Sequence, residues 1–262
     1  MRLSVDGAEV YAYTGARGYV DEQPTVVFVH GAANDHSVWA WQSRYFAHHR
    51  FNVLAVDLPG HGRSGGAALT SVERIADWIL ALLDAADVGQ AALVGHSLGS
   101  LVALEAAARH PARVAPVALL APAVPMTVSD ELQDAARRND HVALELINGW
   151  SFSSARQLGG NPVPGMWMTG TTMRLMERSQ PGVLATDLRA CHAYANGLAA
   201  AAAVRGGVLV ITGGRDIMAP PRNAQALIAA LKEPKVVSLT RSGHALMAEE
   251  PDAVLEALRA FL

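Results

Sequence analysis

The sequence predicts an α/β fold: a mostly parallel, doubly wound sheet with flanking helices and an inserted helical cap. Three observations carry this. Short apolar runs rich in β-branched residues, such as 25–29 and 52–56, are continuous enough for strands buried on both faces. Segments with helical spacing of apolar residues alternate with those runs, the signature of parallel strands joined by crossover helices. The alternation stops after residue 122, gives way to helix-like segments, and resumes near 208.

Composition bounds the class. The chain has 262 residues, 51% hydrophobic and 17% charged, enough to bury a sizeable core. The net charge is −3 and there is no long basic run, which argues against a nucleic-acid or polyanion partner. The single cysteine, Cys191, excludes an internal disulfide and has no metal-spaced Cys or His beside it, so it reads as a packed residue. The first residues lack an apolar core of signal-peptide length, and no uninterrupted apolar stretch is long enough to span a bilayer. A cytoplasmic protein with a small-molecule substrate and no membrane partner is expected.

Taken in order, Val5 and the alternating residues 10–13 predict an opening hairpin around Asp6-Gly7. A buried strand at 25–29 ends in His30-Gly31. Residues 34–49 carry Val38, Trp41, Tyr45 and Phe46 near helical spacing. The strand at 52–56 ends at Asp57, and the Gly-rich loop 58–66 follows. Thr70-Ser71-Val72-Glu73 reads as a capping box, opening a helix with Val72, Ile75, Ile79, Leu82 and Leu83 on one stripe. A strand at 91–94 leads into Gly95-His96-Ser97-Leu98-Gly99, then a helix that Pro111 stops, then a strand at 114–120.

Residues 125–204 are expected to form the cap, with helices at 129–148, 166–178 and 182–203 separated by the Gly/Pro-rich stretch 159–165. Residues 1–124 and 205–262 are expected to form the core. Strands at 208–211 and 236–239 and helices near 220–231 and 251–262 complete it, Pro251 suiting a first helical turn.

Ligands of open parallel sheets bind outside the carboxyl ends of the strands. Four chemically capable groups fall at those ends: His30-Gly31-Ala32, Ser97, Gly213-Gly214-Arg215-Asp216 and Ser242-Gly243-His244. Ser97 is the centre of a G-x-S-x-G between a strand and a helix, the context of a nucleophile elbow. So sharp a turn strains the serine backbone, requires small neighbours, and aims the helix N-terminus at developing negative charge.

With His30-Gly31, the run from Asp57 to Ser64, Gly95–Gly99, Gly213–Asp216 and Gly243-His244, nearly the whole chain resembles the α/β-hydrolase fold superfamily in its lidded, esterase- and lactonase-like branch. Those motifs point to fold and triad and say little about substrate, because the superfamily hosts many reactions. The resemblance implies a serine hydrolase that cleaves an ester-like acyl bond. Carbon–carbon hydrolysis, acyl transfer and a low-turnover receptor on the same fold stay open as alternatives. Relatives that open epoxides or displace halide carry aspartate where Ser97 sits, and dienelactone-type relatives carry cysteine, so neither assignment fits.

The expected roles follow from chemistry. A serine hydroxyl is a poor nucleophile until a base takes its proton. His244, just past the last strand and preceded by a glycine, is the expected base, imidazole titrating near neutrality. Asp216 is expected to fix its tautomer and stabilise the imidazolium. The backbone N–H groups of Ala32 and Leu98 are the expected oxyanion hole. His30, His96 and the 57–64 loop read as scaffold. No phosphate-loop, dinucleotide or zinc motif is present, so neither cofactor nor metal is expected. Trp150, Met166, Trp167, Met173 and Met176 are the expected substrate-binding residues of the cap. Met166, Met173 and Met176 fall on one helical face, where unbranched thioethers fit varied apolar groups. The cap arginines are interspersed with acids, so no carboxylate clamp is expected and the substrate should be a small, uncharged, largely apolar acyl or lactone.

Overall fold

The computed structural model describes residues 1–163 and 165–262. Eight strands form one sheet in the order β1-β2-β4-β3-β5-β6-β7-β8. β1 (Arg2–Val5) and β2 (Ala8–Tyr13) form the antiparallel hairpin expected around Asp6-Gly7. β2 also runs antiparallel to β4 (Asn52–Val56). From β4 onward every pairing is parallel, through β3 (Thr25–Val29), β5 (Ala91–His96), β6 (Val114–Leu120), β7 (Val208–Gly213) and β8 (Lys235–Leu239).

The continuous apolar runs are explained by two cores. Along β3, Val27 and Val29 enter one core while Val26 and Phe28 enter the other. Along β7, Val208 and Val210 alternate in the same way with Leu209 and Ile211. The first core is covered by α2 (Val72–Ala85), α3 (Leu98–Arg109) and α10 (Pro221–Ala230). The second is covered by a 3₁₀ turn at His36–Trp39, α1 (Ala40–Ala47), α11 (Leu246–Glu249) and α12 (Pro251–Arg259). The predicted stripe of α2 is buried throughout. Its cap is one residue later than the capping box implied: Ser71 accepts from the Arg74 N–H.

Between β6 and β7 lie α4 (Asp130–Arg137), α5 (His141–Ser151), α6 (Ser154–Gln157), α7 (Met168–Met176), α8 (Val183–Ala193) and α9 (Gly197–Ala203). The helix expected over 129–148 is therefore two helices. Asn139 takes a left-handed backbone (φ 51°) and Asp140 caps α5 by accepting from Val142 N–H. The helix expected over 182–203 is also broken, at Tyr194, whose hydroxyl leaves the helix line to reach Glu105 of α3. α9 packs on α3 and α10, and Ala200 and Ala201 join the core of the sheet. The other inserted helices have their own apolar cluster, built on Leu132, Ala136, Ile147, Met176 and Leu188.

Candidate active site

Ser97 sits between β5 and α3 with φ 53° and ψ −118°, a left-handed backbone that a serine adopts only at a cost. The conformation is over-determined by its surroundings. Ser97 N–H donates to Leu120 O at 2.9 Å, and Ser100 Oγ donates to Ser97 O at 2.6 Å. The flanking glycines are sterically required. A Cβ on Gly95 would lie 2.0 Å from Gly99 O, and one on Gly99 would lie 2.3 Å from Val29 O.

Asp216 and His244 follow β7 and β8, and the sheet order brings these strand ends to the same edge as Ser97. His244 Nδ1–H donates to Asp216 Oδ2 at 2.7 Å. The other carboxylate oxygen accepts from Met218 N–H at 2.9 Å and Ala219 N–H at 2.8 Å. Burial alone would raise the pKa of Asp216. The His244 ring and the two amides outweigh it and hold the carboxyl below its ordinary range. With Nδ1 engaged, the second ring nitrogen of His244 is left for the cleft, whose wall contains both Ser97 and His244.

Among the described residues, neither Ala32 N–H nor Leu98 N–H donates to another protein atom, and Ala32 lines the cleft. Leu98 opens α3, so its N–H is one of the unsatisfied groups of a helix N-terminus.

The histidines read as scaffold are neutral braces. His96 Nε2–H donates to His244 O at 2.9 Å, which leaves Nδ1 unprotonated; burial, followed by the neighbouring His244, lowers its pKa to about 3. His30 Nδ1–H donates to Gly31 O at 2.8 Å and Nε2 accepts from Leu58 N–H at 3.2 Å; burial, helped by His61, lowers its pKa to about 4.

The cleft is a cavity of about 430 Å³. Of the residues expected to bind substrate, Trp150 and Met166 line it. Trp167, Met173 and Met176 lie elsewhere. Trp167 is 73% exposed, and Met176 is buried in the apolar cluster of the inserted helices. The face of α7 that meets the cavity is Met168, Thr171, Thr172 and Leu175, at helical spacing. The methionine stripe was thus a poor guide to that face. An amphipathic helix between a cavity and a packed cluster has two surfaces that favour apolar groups, and spacing does not label them. No Asp, Glu, Lys or Arg among the described residues lines the cavity.

One ligating atom each from Asp35, His36 and Asp57 lies within 4.8 Å of the others. These groups are committed to bracing the loops around them. Asp57 accepts from His36 N–H and His36 Nδ1–H, both at 2.7 Å, and from Arg63 N–H at 2.8 Å. Asp35 accepts from Ser37 N–H and from Arg178.

A family profile described as the alpha/beta hydrolase fold matches residues 24–251. The chain belongs to the α/β-hydrolase fold family. Within that family it is 30% identical to a pimeloyl-[acyl-carrier protein] methyl ester esterase of Neisseria meningitidis, over 92% of this chain and 94% of that protein. It is 40% identical to the acetyltransferase component of an acetoin cleaving system from Pseudomonas putida. That match spans 37% of this chain and 26% of the relative's length. Among solved structures, the enol-lactonase of Burkholderia xenovorans LB400 superposes with a TM-score of 0.89 at 24% identity, covering 100% of this chain and 99% of that one. This likeness is one of fold. Among the described residues, no helix is long and apolar enough to cross a membrane.

Proposed function

We propose that this α/β hydrolase is a serine carboxylic ester hydrolase, an esterase or lactonase, working through an acyl-enzyme on a small, uncharged, mostly apolar substrate. The observation that carries the reading is that Ser97 and His244 share one cavity free of charged aliphatic side chains, with Asp216 bound to the far nitrogen of His244. The named activity of the full-length meningococcal relative, a methyl ester esterase, supports the reaction class.

His244 takes the Ser97 hydroxyl proton as Oγ attacks the acyl carbon. The carbonyl oxygen gains the electron pair and is met by the Ala32 and Leu98 N–H groups, donors not spent elsewhere. Collapse breaks the bond to the leaving oxygen, which takes the proton from the His244 imidazolium, and the acyl group stays on Ser97. Water then attacks that ester, its proton passing to His244. The acid is released, and the proton returns to Oγ. In a lactone the leaving oxygen stays tethered to the acyl group. Asp216 stays ionised throughout and stabilises the imidazolium, consistent with its depressed pKa.

An apolar wall that includes Val38, Trp41, Met126, Leu175, Met218 and Met247 fits an acyl chain. The inserted segment, which supplies Trp150 from α5, Leu175 from α7 and Met166 from the stretch before α7, acts as the cap over the acyl chain. The test is kcat/KM along p-nitrophenyl esters from acetate to decanoate, beside their ω-carboxylated analogues. Rates should rise with each methylene, by up to about 0.8 kcal/mol each, until the pocket ends. A flat profile or a preference for carboxylated chains would overturn the substrate reading.

A further inference from the structure

Behind the Ala32 N–H is a polar contact that the chemistry above does not use. Asp187, in the middle of α8, is 1% exposed although it is a carboxylate on an inserted helix. Its Oδ2 accepts from Ala33 N–H at 2.9 Å and from His61 Nε2–H at 2.8 Å. The other nitrogen of His61 faces Pro59 O at 3.0 Å. Both ring nitrogens therefore meet acceptors, the pattern that the imidazolium form satisfies. The tilted neighbour ring, His30, with its centroid 4.9 Å away, has a donor on one side and an acceptor on the other and is neutral. His61 and Asp187 are thus a buried ion pair joining the 58–66 loop to an inserted helix.

Ala33 has a reason to need that partner. It is a non-glycine residue with φ 52°, in the left-handed region. Its methyl is buried among residues of the inserted helices, including Leu132, Ala136 and Leu188. Its amide is adjacent to the one proposed to meet the oxyanion. A strained residue holds one geometry only when its surroundings over-determine it.

We infer that Asp187, held by His61, is a positioning residue that the inserted helices supply to the oxyanion loop: by anchoring Ala33 N–H it fixes the direction of the neighbouring Ala32 N–H. The inference rests on the proposed serine mechanism. It makes closure of the inserted helices a condition for a competent oxyanion hole as well as for a covered pocket. The charged and titratable groups facing the pair are Asp57 and His30 from the core and Cys191 from α8.

The test compares wild type, Asp187→Ala, Asp187→Asn and His61→Gln on p-nitrophenyl butyrate. Active sites are titrated with a serine-directed phosphonate, and inhibition by phenylboronic acid reports tetrahedral-adduct binding. Asp187→Ala should lose on the order of 10²-fold in kcat per titrated site, with KM little changed and boronate affinity falling in parallel. Asp187→Asn, which keeps an acceptor for Ala33 N–H, should recover most of that loss. His61→Gln should lose about tenfold in kcat and flatten the alkaline limb of the kcat profile. A helix-docking role alone would lower Tm and the titratable fraction while leaving kcat per site and boronate affinity within threefold of wild type, and that result would overturn the inference. If Asp187→Ala does not fold, the same threefold criterion applied to His61→Gln decides. Wild-type turnover that survives Ser97→Ala would instead overturn the serine mechanism, and the inference with it.

Discussion

The sheet core and the inserted helices are held by different physics. Within the core, strands such as β3 and β4 are buried along their whole length, and apolar packing on both faces accounts for their order. The inserted helices have a smaller apolar cluster and are fastened to the core by buried carboxylates, among them Asp187, Glu105 and Glu249. Asp187 reaches inward to His61 and Ala33 N–H. Glu105 of α3 accepts from Tyr194 Oη at 2.6 Å and Asn196 Nδ2 at 2.9 Å. Glu249 of α11 accepts from Ser153 N–H, Ser153 Oγ and the Gly243 N–H beside His244, at 3.0, 2.5 and 2.9 Å. Apolar packing is forgiving about exact placement, whereas hydrogen bonds have a fixed length and direction. Two of these anchors end within one residue of the proposed catalytic machinery, at Ala33 and Gly243, so the polar joints are where the insert governs site geometry.

The largest effect expected breaks the chemistry while sparing both regions. Ser97→Ala should cost about 10⁴–10⁶ in kcat with an unchanged unfolding midpoint, and adding His244→Ala should cost little more, because triad members act as a unit. Multiplicative losses in the double variant would remove His244 from the role of base.

A second pair of variants asks whether α7 divides its two faces between packing and binding. Met176→Ala should lose about 2–5 kcal/mol of stability by urea titration, as for a buried methionine in an apolar cluster, with the acyl-chain profile unmoved. Leu175→Ala should leave stability nearly intact and shift the preferred chain length, by about fourfold in kcat/KM per methylene. An exchange of those outcomes would invert the assignment of the faces.

The polar joint should also be visible in pH dependence. Burial lowers the pKa of His61, but the charge and hydrogen bond of Asp187 more than offset it, and the net shift is upward. The pair therefore contributes stability in full below the unfolded histidine value of about 6.5, and loses it as pH rises through the folded value. Asp216 behaves oppositely. Its contribution is present above about 3.9 and is lost as pH falls through its depressed folded value. Urea midpoints from pH 5 to 9 should fall on the alkaline side in wild type and flatten in His61→Gln; parallel curves would show that the pair does not couple folding to protons.

The smallest effect belongs to Trp167. Despite its size it is exposed, so Trp167→Ala should change stability by less than about 0.5 kcal/mol and leave the ester profile in place. A tenfold loss of kcat/KM on the longer esters would mean that the ring closes over bound substrate.

The sequence by itself determined the alternation of strands and helices, the strained turn at Ser97 and the chain order of Ser97, Asp216 and His244. These are readable because they depend on local requirements: continuous apolar runs for doubly buried strands, small residues around a sharp turn, and reactive groups immediately after strand ends. Tertiary structure alone decided which face of α7 meets the cavity, where the long insert breaks into shorter helices, and that Asp187 is buried against His61. The break at Tyr194 follows its hydrogen bond to Glu105, 89 residues away in sequence, and Asp187 meets His61 across 126 residues. In the sequence Asp187 is an acid in an amphipathic helix, where the usual place is solvent; the partner that makes burial favourable is brought to it only by the folded sheet.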